Sequence, residues 1–152
     1  MTDTLPPLEQ GPGDDPPPDY RLHTRESPVT APWAPIYTRA VAGAPSLALR
    51  VRAAHANGRG LLHGGVLSTL ADNAMGLAVA AAERGLTGLV TVSLSLDFIG
   101  AVRLGQWLEV VPVLVRATRG LAFTEARATA DGEACARASA VFRVLREAGG
   151  TP

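Results

Sequence analysis

Lysine is missing altogether: all fourteen basic residues of this 152-residue chain are arginine, and they balance fourteen acidic ones to a formal net charge of +0. With no excess of either sign, no global field draws the chain to nucleic acid or to an anionic membrane surface, and an anionic ligand has to be gripped locally. The arginine-only usage reads as coding bias, although a forked guanidinium would also suit a phosphate. Cysteine is nearly missing too. Cys135 stands alone, which excludes an intrachain disulfide and a cysteine metal cluster, and its alternating surroundings suit a small buried thiol better than a nucleophile. The chain shows neither a secretory-type start nor a run of about 18 uninterrupted apolar residues that could span a bilayer. The expectation is a cytoplasmic protein with no membrane partner. Gly-x-Ser-x-Gly, a Walker loop and His-Glu-x-x-His are all absent, and the three histidines are too scattered to suggest a metal site.

What is present fits one soluble domain with a sizeable core, since 47% of the residues are hydrophobic and 18% charged. Nine of the twelve prolines precede residue 36. That composition predicts a mobile Pro-rich tail over residues 1–27, a domain over 28–146 and a short C-terminal tail over 147–152. Trp33, Ile36 and Tyr37 are apolar enough to dock a short turn onto the domain.

From Ser46 the chain alternates, with Leu47, Leu49 and Val51 pointing one way and Arg50 and Arg52 the other, the period of a half-buried strand. A loop follows from His55 to Leu62. The period then becomes helical from His63 to Glu83, with Val66, Leu70, Ala74, Leu77 and Ala81 on one stripe and Leu67, Ala71, Met75, Ala78 and Ala82 beside it. Two adjacent apolar stripes predict a helix buried almost all round, stopped by Gly85. Val90 to Phe98 alternates strictly, placing Val90, Val92, Leu94, Leu96 and Phe98 toward a core and Thr91, Ser93, Ser95 and Asp97 away from it. Three further strands are predicted at Gln106–Thr118, Leu121–Ala130 and Ala134–Leu145. Turns near Arg119-Gly120 and at Asp131-Gly132 join them, and Pro112 implies an edge or a bulge. One strand, one long helix and four strands give an α+β layout in which a sheet wraps the helix. No βαβ unit offers a dinucleotide site.

The helix carries a polar line at four-residue spacing, Ser68, Asp72 and Gly76, with Thr69 and Asn73 beside it. A buried carboxylate without partners is costly, so Asp72 is either satisfied by hydroxyls, faces a groove, or serves chemistry. At the helix start, Gly64 and Gly65 offer amide donors without intrahelical acceptors, which could polarise a carbonyl; a plain turn before a helix is the alternative. Gly64 and Asp72 lie roughly 12 Å apart along the axis and about 80° apart around it. They cannot serve one reacting atom. A single site using both needs two copies of the helix, antiparallel, so that Gly64 of one subunit faces Asp72 of the other.

The stretch Asn57-Gly-Arg-Gly-Leu-Leu-His63-Gly-Gly-Val-Leu-Ser-Thr-Leu-Ala-Asp72-Asn-Ala-Met-Gly resembles the central motif of hot-dog-fold thioesterases of the phenylacetate-pathway (PaaI-like) type. The strand from Val90 to Phe98 and the Leu104-Gly105 turn also fit, so the likeness covers about residues 28–146. It implies a curved antiparallel sheet of about five strands around the helix, and hydrolysis of acyl-CoA thioesters without metal or redox cofactor, in homodimers that often pair into tetramers. By matching position, the Gly64 N–H would polarise the thioester carbonyl with help from Asn57, and His63 would shape the helix entrance. The partner's aspartate equivalent to Asp72 would attack or activate water, as nucleophile or as general base, and Thr91 would help hold that water. Gly65, Ser68 and Met75 would line the substrate site, with Met75 against a small or medium acyl group. Arg59, Arg103 and Arg119 could meet the CoA phosphates or be solvated surface residues. The chain departs from the pattern after Phe98, reading Ile99-Gly100-Ala101-Val102-Arg103 where many relatives have a basic or small polar residue and then proline. A binder that holds acyl-CoA or an acyl carrier without cleaving it is the alternative. A dehydratase would need its acid/base pair placed differently.

Overall fold

The computed structural model describes residues 15–25 and 27–147. Five short strands come first: β1 (Arg21–Leu22), β2 (Tyr37–Thr38), β3 (Ala40–Val41), β4 (Ala44–Pro45) and β5 (Leu47–Arg50). The long helix α1 (Gly64–Ala82) follows, then four long strands: β6 (Leu86–Phe98), β7 (Trp107–Ala117), β8 (Leu121–Ala130) and β9 (Glu133–Arg146). Seven strands form one antiparallel sheet in the order β1-β2-β5-β7-β8-β9-β6, and β3 pairs with β4 separately. This is the expected hot-dog layout with seven strands in place of about five. The additions, β1 and β2, are two residues long, too short for a period to register.

The Asp131-Gly132 turn forms as its sequence dictates, with φ of 48° and 86° at the two positions. The Asp131 carboxylate also accepts the Trp107 N–H at 2.9 Å, tying the β8–β9 turn to the start of β7. Pro112 sits where β7 has outrun β5, whose last pair is Leu47 with Val110, so its missing N–H costs no ladder bond on that side.

α1 lies against β6, β7, β8 and β9. It buries Val66, Leu67, Leu70, Ala71, Ala74, Met75, Ala78 and Val79 on the sheet, and a large aliphatic side chain buried in this way contributes about 1.5–3 kcal/mol. The helix is not buried all round, as the two stripes had predicted. Ser68, Asp72, Asn73, Gly76 and Leu77 are only half-buried and Ala80, Ala81 and Ala82 are exposed. The sheet approaches from one side, and the stripe residues toward the C-terminal end of the helix, Leu77, Ala81 and Ala82, lie off it. By length and composition α1 could cross a membrane, but the face given above packs in the core of the domain.

β6 also departs from its predicted alternation. Its register against β9 shifts between Thr91 and Ser93, so Val92 forms a bulge, and the core-facing set changes from the odd-numbered residues before it to the even-numbered residues after it. Thr91, expected to point away from the core, therefore faces α1, as do the partly buried Leu94 and Leu96. Val90 and Val92, expected in the core, are exposed.

The predicted tail boundary moves as well. β1 pairs with β2 through Arg21–Thr38 and Leu22–Tyr37, the His23 N–H donates to the Ile36 carbonyl at 2.8 Å, and Tyr20 packs edge-on against Trp107 with ring centroids 5.0 Å apart. Residues 15–25 thus belong to the domain. The ordering comes from tertiary contacts that a proline-rich composition conceals. The remainder of the predicted tails, 1–14 and 148–152, lies outside the described residues.

Candidate active site

The helix entrance is built by the loop before it. His55 is fully buried, its Nδ1 accepts the Arg52 N–H at 2.9 Å, and its carbonyl accepts the His63 N–H at 2.8 Å. Asn57 tightens the loop further, because its Oδ1 accepts the N–H groups of Arg59 and Leu61 at 2.9 and 3.2 Å. Only its Nδ2 is left to donate outward. His63 is the N-cap, and its Nδ1 accepts the Gly65 N–H at 2.9 Å. A neutral His63 therefore carries its proton on Nε2.

That cap reduces the expected donor pair to one. The Gly65 N–H is committed to His63, whereas the Gly64 N–H makes no hydrogen bond among the described residues. The Phe98 ring lies over Gly64, with its Cζ 3.1 Å from where a Cβ would stand, so the glycine leaves room for the ring. Ser68 and Thr69 donate back to the Gly64 and Gly65 carbonyls at 2.8 and 2.9 Å, which engages their hydroxyl protons inside the helix.

Two turns further along, Asp72 faces a cleft of about 500 Å³. Its Oδ1 accepts a hydrogen bond from the Thr91 hydroxyl at 2.8 Å. The cleft lies between the open face of α1 (Asp72, Asn73, Gly76, Leu77) and the first half of β6, with Phe142 and Leu47 among the apolar residues lining it. The N-terminal segment, through His23, Arg25, Ser27, Pro28 and Thr30, closes one side. Burial first, and then the nearby Arg25 charge, lower the His23 pKa below its ordinary 6.5, which favours the uncharged imidazole.

The structure thus brings Asp72 and Thr91 together and leaves Asn57, His63, Gly64 and Gly65 at the other end of the helix, outside the cleft. Met75, expected against the acyl group, is fully buried in the core on the sheet side of α1. Its place one stripe round from Asp72 turns it away. Arg59 and Arg103 belong to the loops at the helix entrance, where Leu61 bridges to Arg103. Arg119 lies at the opposite end of the sheet, in the β7–β8 turn. One chain therefore does not gather the three arginines around one ligand. Three contributors had no signal in the sequence pattern: His23 and Arg25, hidden in the proline-rich segment, and Phe98, read as a core residue. Among the described residues no group of three or more His, Cys, Asp or Glu side chains could hold a metal ion.

This geometry has relatives. The family model of the thioesterase superfamily matches residues 59–136, and the chain belongs to that family. It is accordingly a thioester hydrolase by class. A Pseudomonas aeruginosa protein named "Putative esterase PA0474" is 39% identical over 121 residues, covering 79% of this chain and 90% of that protein. Human acyl-coenzyme A thioesterase 13 is 33% identical over 76 residues, which span 50% of this chain and 54% of the human protein. Among solved structures, a mutant of the phenylacetic acid degradation protein PaaI from Thermus thermophilus aligns with a TM-score of 0.65 and 27% identity, over 72% of this chain and 93% of that one.

Proposed function

We propose that this thioester hydrolase cleaves small or medium acyl-CoA thioesters to the free acid and CoA, in a homodimer whose two active sites are each shared between subunits. The observation that carries the reading is the Thr91-held Asp72 carboxylate on the wall of a cleft, on the same helix as an uncommitted Gly64 N–H. Similarity to the human acyl-coenzyme A thioesterase supports the substrate class.

The N–H of Gly64 binds the thioester oxygen and stabilises the negative charge that develops there as the carbonyl carbon becomes tetrahedral. Asn57 assists through Nδ2. From the partner subunit, the carboxylate corresponding to Asp72 either takes a proton from the attacking water, or attacks the carbonyl itself to give an acyl anhydride that water then hydrolyses to the free acid; in both cases the C–S bond breaks to release the thiolate. The Thr91 hydroxyl orients that carboxylate. Two subunits are needed because the two groups are separated along one helix by about 12 Å. A surface suited to pairing exists at the free edge of β6, which is thirteen residues long and exposes Val90 and Val92, with Ile99 just beyond it. A long apolar edge of that kind favours strand addition by a second copy. Tetramers could form by a further pairing of dimers.

Purified protein is incubated with a panel of acyl-CoAs and free thiol is followed, for wild type and for Asp72→Asn. Thiol release by wild type, lost in a variant that still binds substrate, supports the assignment. Binding without release from any acyl-CoA overturns it in favour of a non-catalytic acyl-CoA or acyl-carrier binder. Sharing of the site is tested by mixing inactive Asp72→Asn and Gly64→Pro subunits. If verified mixed dimers recover no activity, the two-subunit site is wrong.

A further inference from the structure

The Asp72 cleft has lining residues that the hydrolysis itself does not use. Part of its lining is apolar, through Ile36, Leu47, Leu77, Leu86, Leu89 and Phe142, as an acyl chain requires. One side, however, carries the guanidinium of Arg25 and the imidazole of His23. Apart from Asp72, Arg25 is the only charged side chain that lines the cleft among the described residues, and no hydrogen bond or ion pair joins it to another described residue.

The backbone on either flank of these two residues is fixed. On one flank the backbone is fixed by the β1–β2 pairing and by the His23–Ile36 hydrogen bond. On the other, a turn is closed by the Thr30 N–H donating to the Ser27 carbonyl at 3.0 Å. Tyr20 anchors the same segment against Trp107. An uncharged imidazole can offer an N–H without adding a second positive charge, and the guanidinium can pair with an anion.

We infer that Arg25 and His23 recognise an anionic group on the substrate, and that this group is a carboxylate at the far end of the acyl moiety. The inference rests on the acyl-CoA thioesterase reading above. The apolar part of the lining then takes the methylene or aryl portion, while the charge of Arg25 offsets the repulsion that the ionised Asp72 would exert on a second carboxylate. The other source of an anion is the phosphates of CoA, and the two differ in whether the effect follows the acyl group or the carrier.

The test compares glutaryl with pentanoyl thioesters, each on CoA and on N-acetylcysteamine, which has no phosphate. If the inference holds, Arg25→Gln lowers kcat/KM about tenfold for the glutaryl thioester on both carriers and less than twofold for the pentanoyl one. Arg25→Lys restores part of the loss. Losses confined to the CoA esters whatever the acyl group would assign Arg25 to the phosphates and overturn the inference, as would equal use of glutaryl and pentanoyl esters by wild type. Calorimetric binding of glutaryl-CoA and pentanoyl-CoA to Asp72→Asn provides a readout that needs no turnover. A glutaryl preference that disappears with Arg25→Gln supports the inference even if no thioester is hydrolysed, and equal binding overturns it.

Discussion

The two ends of the polar story on α1 are prepared in opposite ways. At Gly64 the reacting group is backbone, and nearly every side chain around it is consumed in holding that backbone still: His63 caps Gly65, Ser68 returns to the Gly64 carbonyl, and Asn57 braces the loop. At Asp72 the reacting group is a side chain with one tether among the described residues, the Thr91 hydroxyl, beside a cleft of about 500 Å³. A donor that must be aimed at a developing oxyanion gains from a fixed frame, because preorganisation removes the cost of reorienting dipoles during the reaction. A carboxylate that has to meet water or substrate gains from room. The difference predicts that the Asp72 end is sensitive to chemistry and the Gly64 end to backbone geometry.

The largest effect is expected at the carboxylate. Asp72→Asn keeps the shape and an acceptor for Thr91 but removes the charge, so kcat should fall about a thousandfold or more, within the usual range for loss of a general base. Because Asp72 is only half-buried and the substitution is nearly isosteric, urea unfolding should move by no more than about 0.5 kcal/mol. A large stability change would mean that Asp72 is a structural residue.

At the other end, Gly64→Pro is expected to lower kcat about a hundredfold by deleting a single donor. Proline is tolerated at the first helical position, and His63, at φ −71° and ψ 131°, already has the extended conformation needed before it. The helix should therefore survive, which circular dichroism would register. Gly64→Ala keeps the N–H and only presses a methyl against Phe98, so its loss should be below about tenfold and should be relieved by Phe98→Leu. If Gly64→Ala proves as damaging as Gly64→Pro, the ring packing matters and the donor does not.

The single tether gives a smaller effect. Thr91→Val preserves shape and removes one hydrogen bond to a charged acceptor, a contribution of about 1.5–3 kcal/mol that partial exposure brings to the low end, hence a fall in kcat of about tenfold. An unchanged kcat would separate Thr91 from the reaction.

How much of this could be read beforehand depended on whether period carried the information. The long elements did declare themselves: α1 by its helical stripe, β8 and β9 by alternation around Asp131-Gly132. The bulge at Val92 could not be seen, because an inserted residue leaves Val-Thr-Val-Ser-Leu alternating in sequence while reversing its facing in space. That same reversal is what turns Thr91 toward Asp72. Burial of α1 falls short of its stripes because Leu77, Ala81 and Ala82 keep the helical period whether or not the sheet reaches them. Met75 shows the converse, a residue near the motif whose angular position puts it in the core. The segment carrying His23 and Arg25 was illegible because it is ordered by Tyr20 on Trp107 and by two-residue strands, contacts distant in sequence.

The comparison of the two helix ends assumes that the scaffold beneath them is indifferent to the chemistry, and Glu109 supplies the control. It sits on β7, its carboxylate accepts two hydrogen bonds from Arg39 at 2.7 and 2.8 Å, and it is almost fully buried. Burial pushes its pKa up, but hydrogen bonds from Arg39, Tyr20 and Ser46 and the Arg39 charge outweigh this and hold it below the ordinary 4.5. A carboxylate lowered on folding adds stability that is fully present above its unfolded pKa and is lost as pH falls through the folded value. Glu109→Gln should therefore cost about 1 kcal/mol at pH 7, discounted from a fully buried pair because the Arg39 side chain is 38% exposed. The gap between wild type and variant should start to shrink as pH falls below 4.5, so urea titrations should find it smaller at pH 3.5 than at pH 7. kcat at pH 7 should stay within about twofold, since Glu109 touches neither helix end. A parallel loss of activity would show that the sheet transmits strain to Asp72 or Gly64, and the contrast between a fixed donor and a tethered carboxylate would then have to include the strands beneath them.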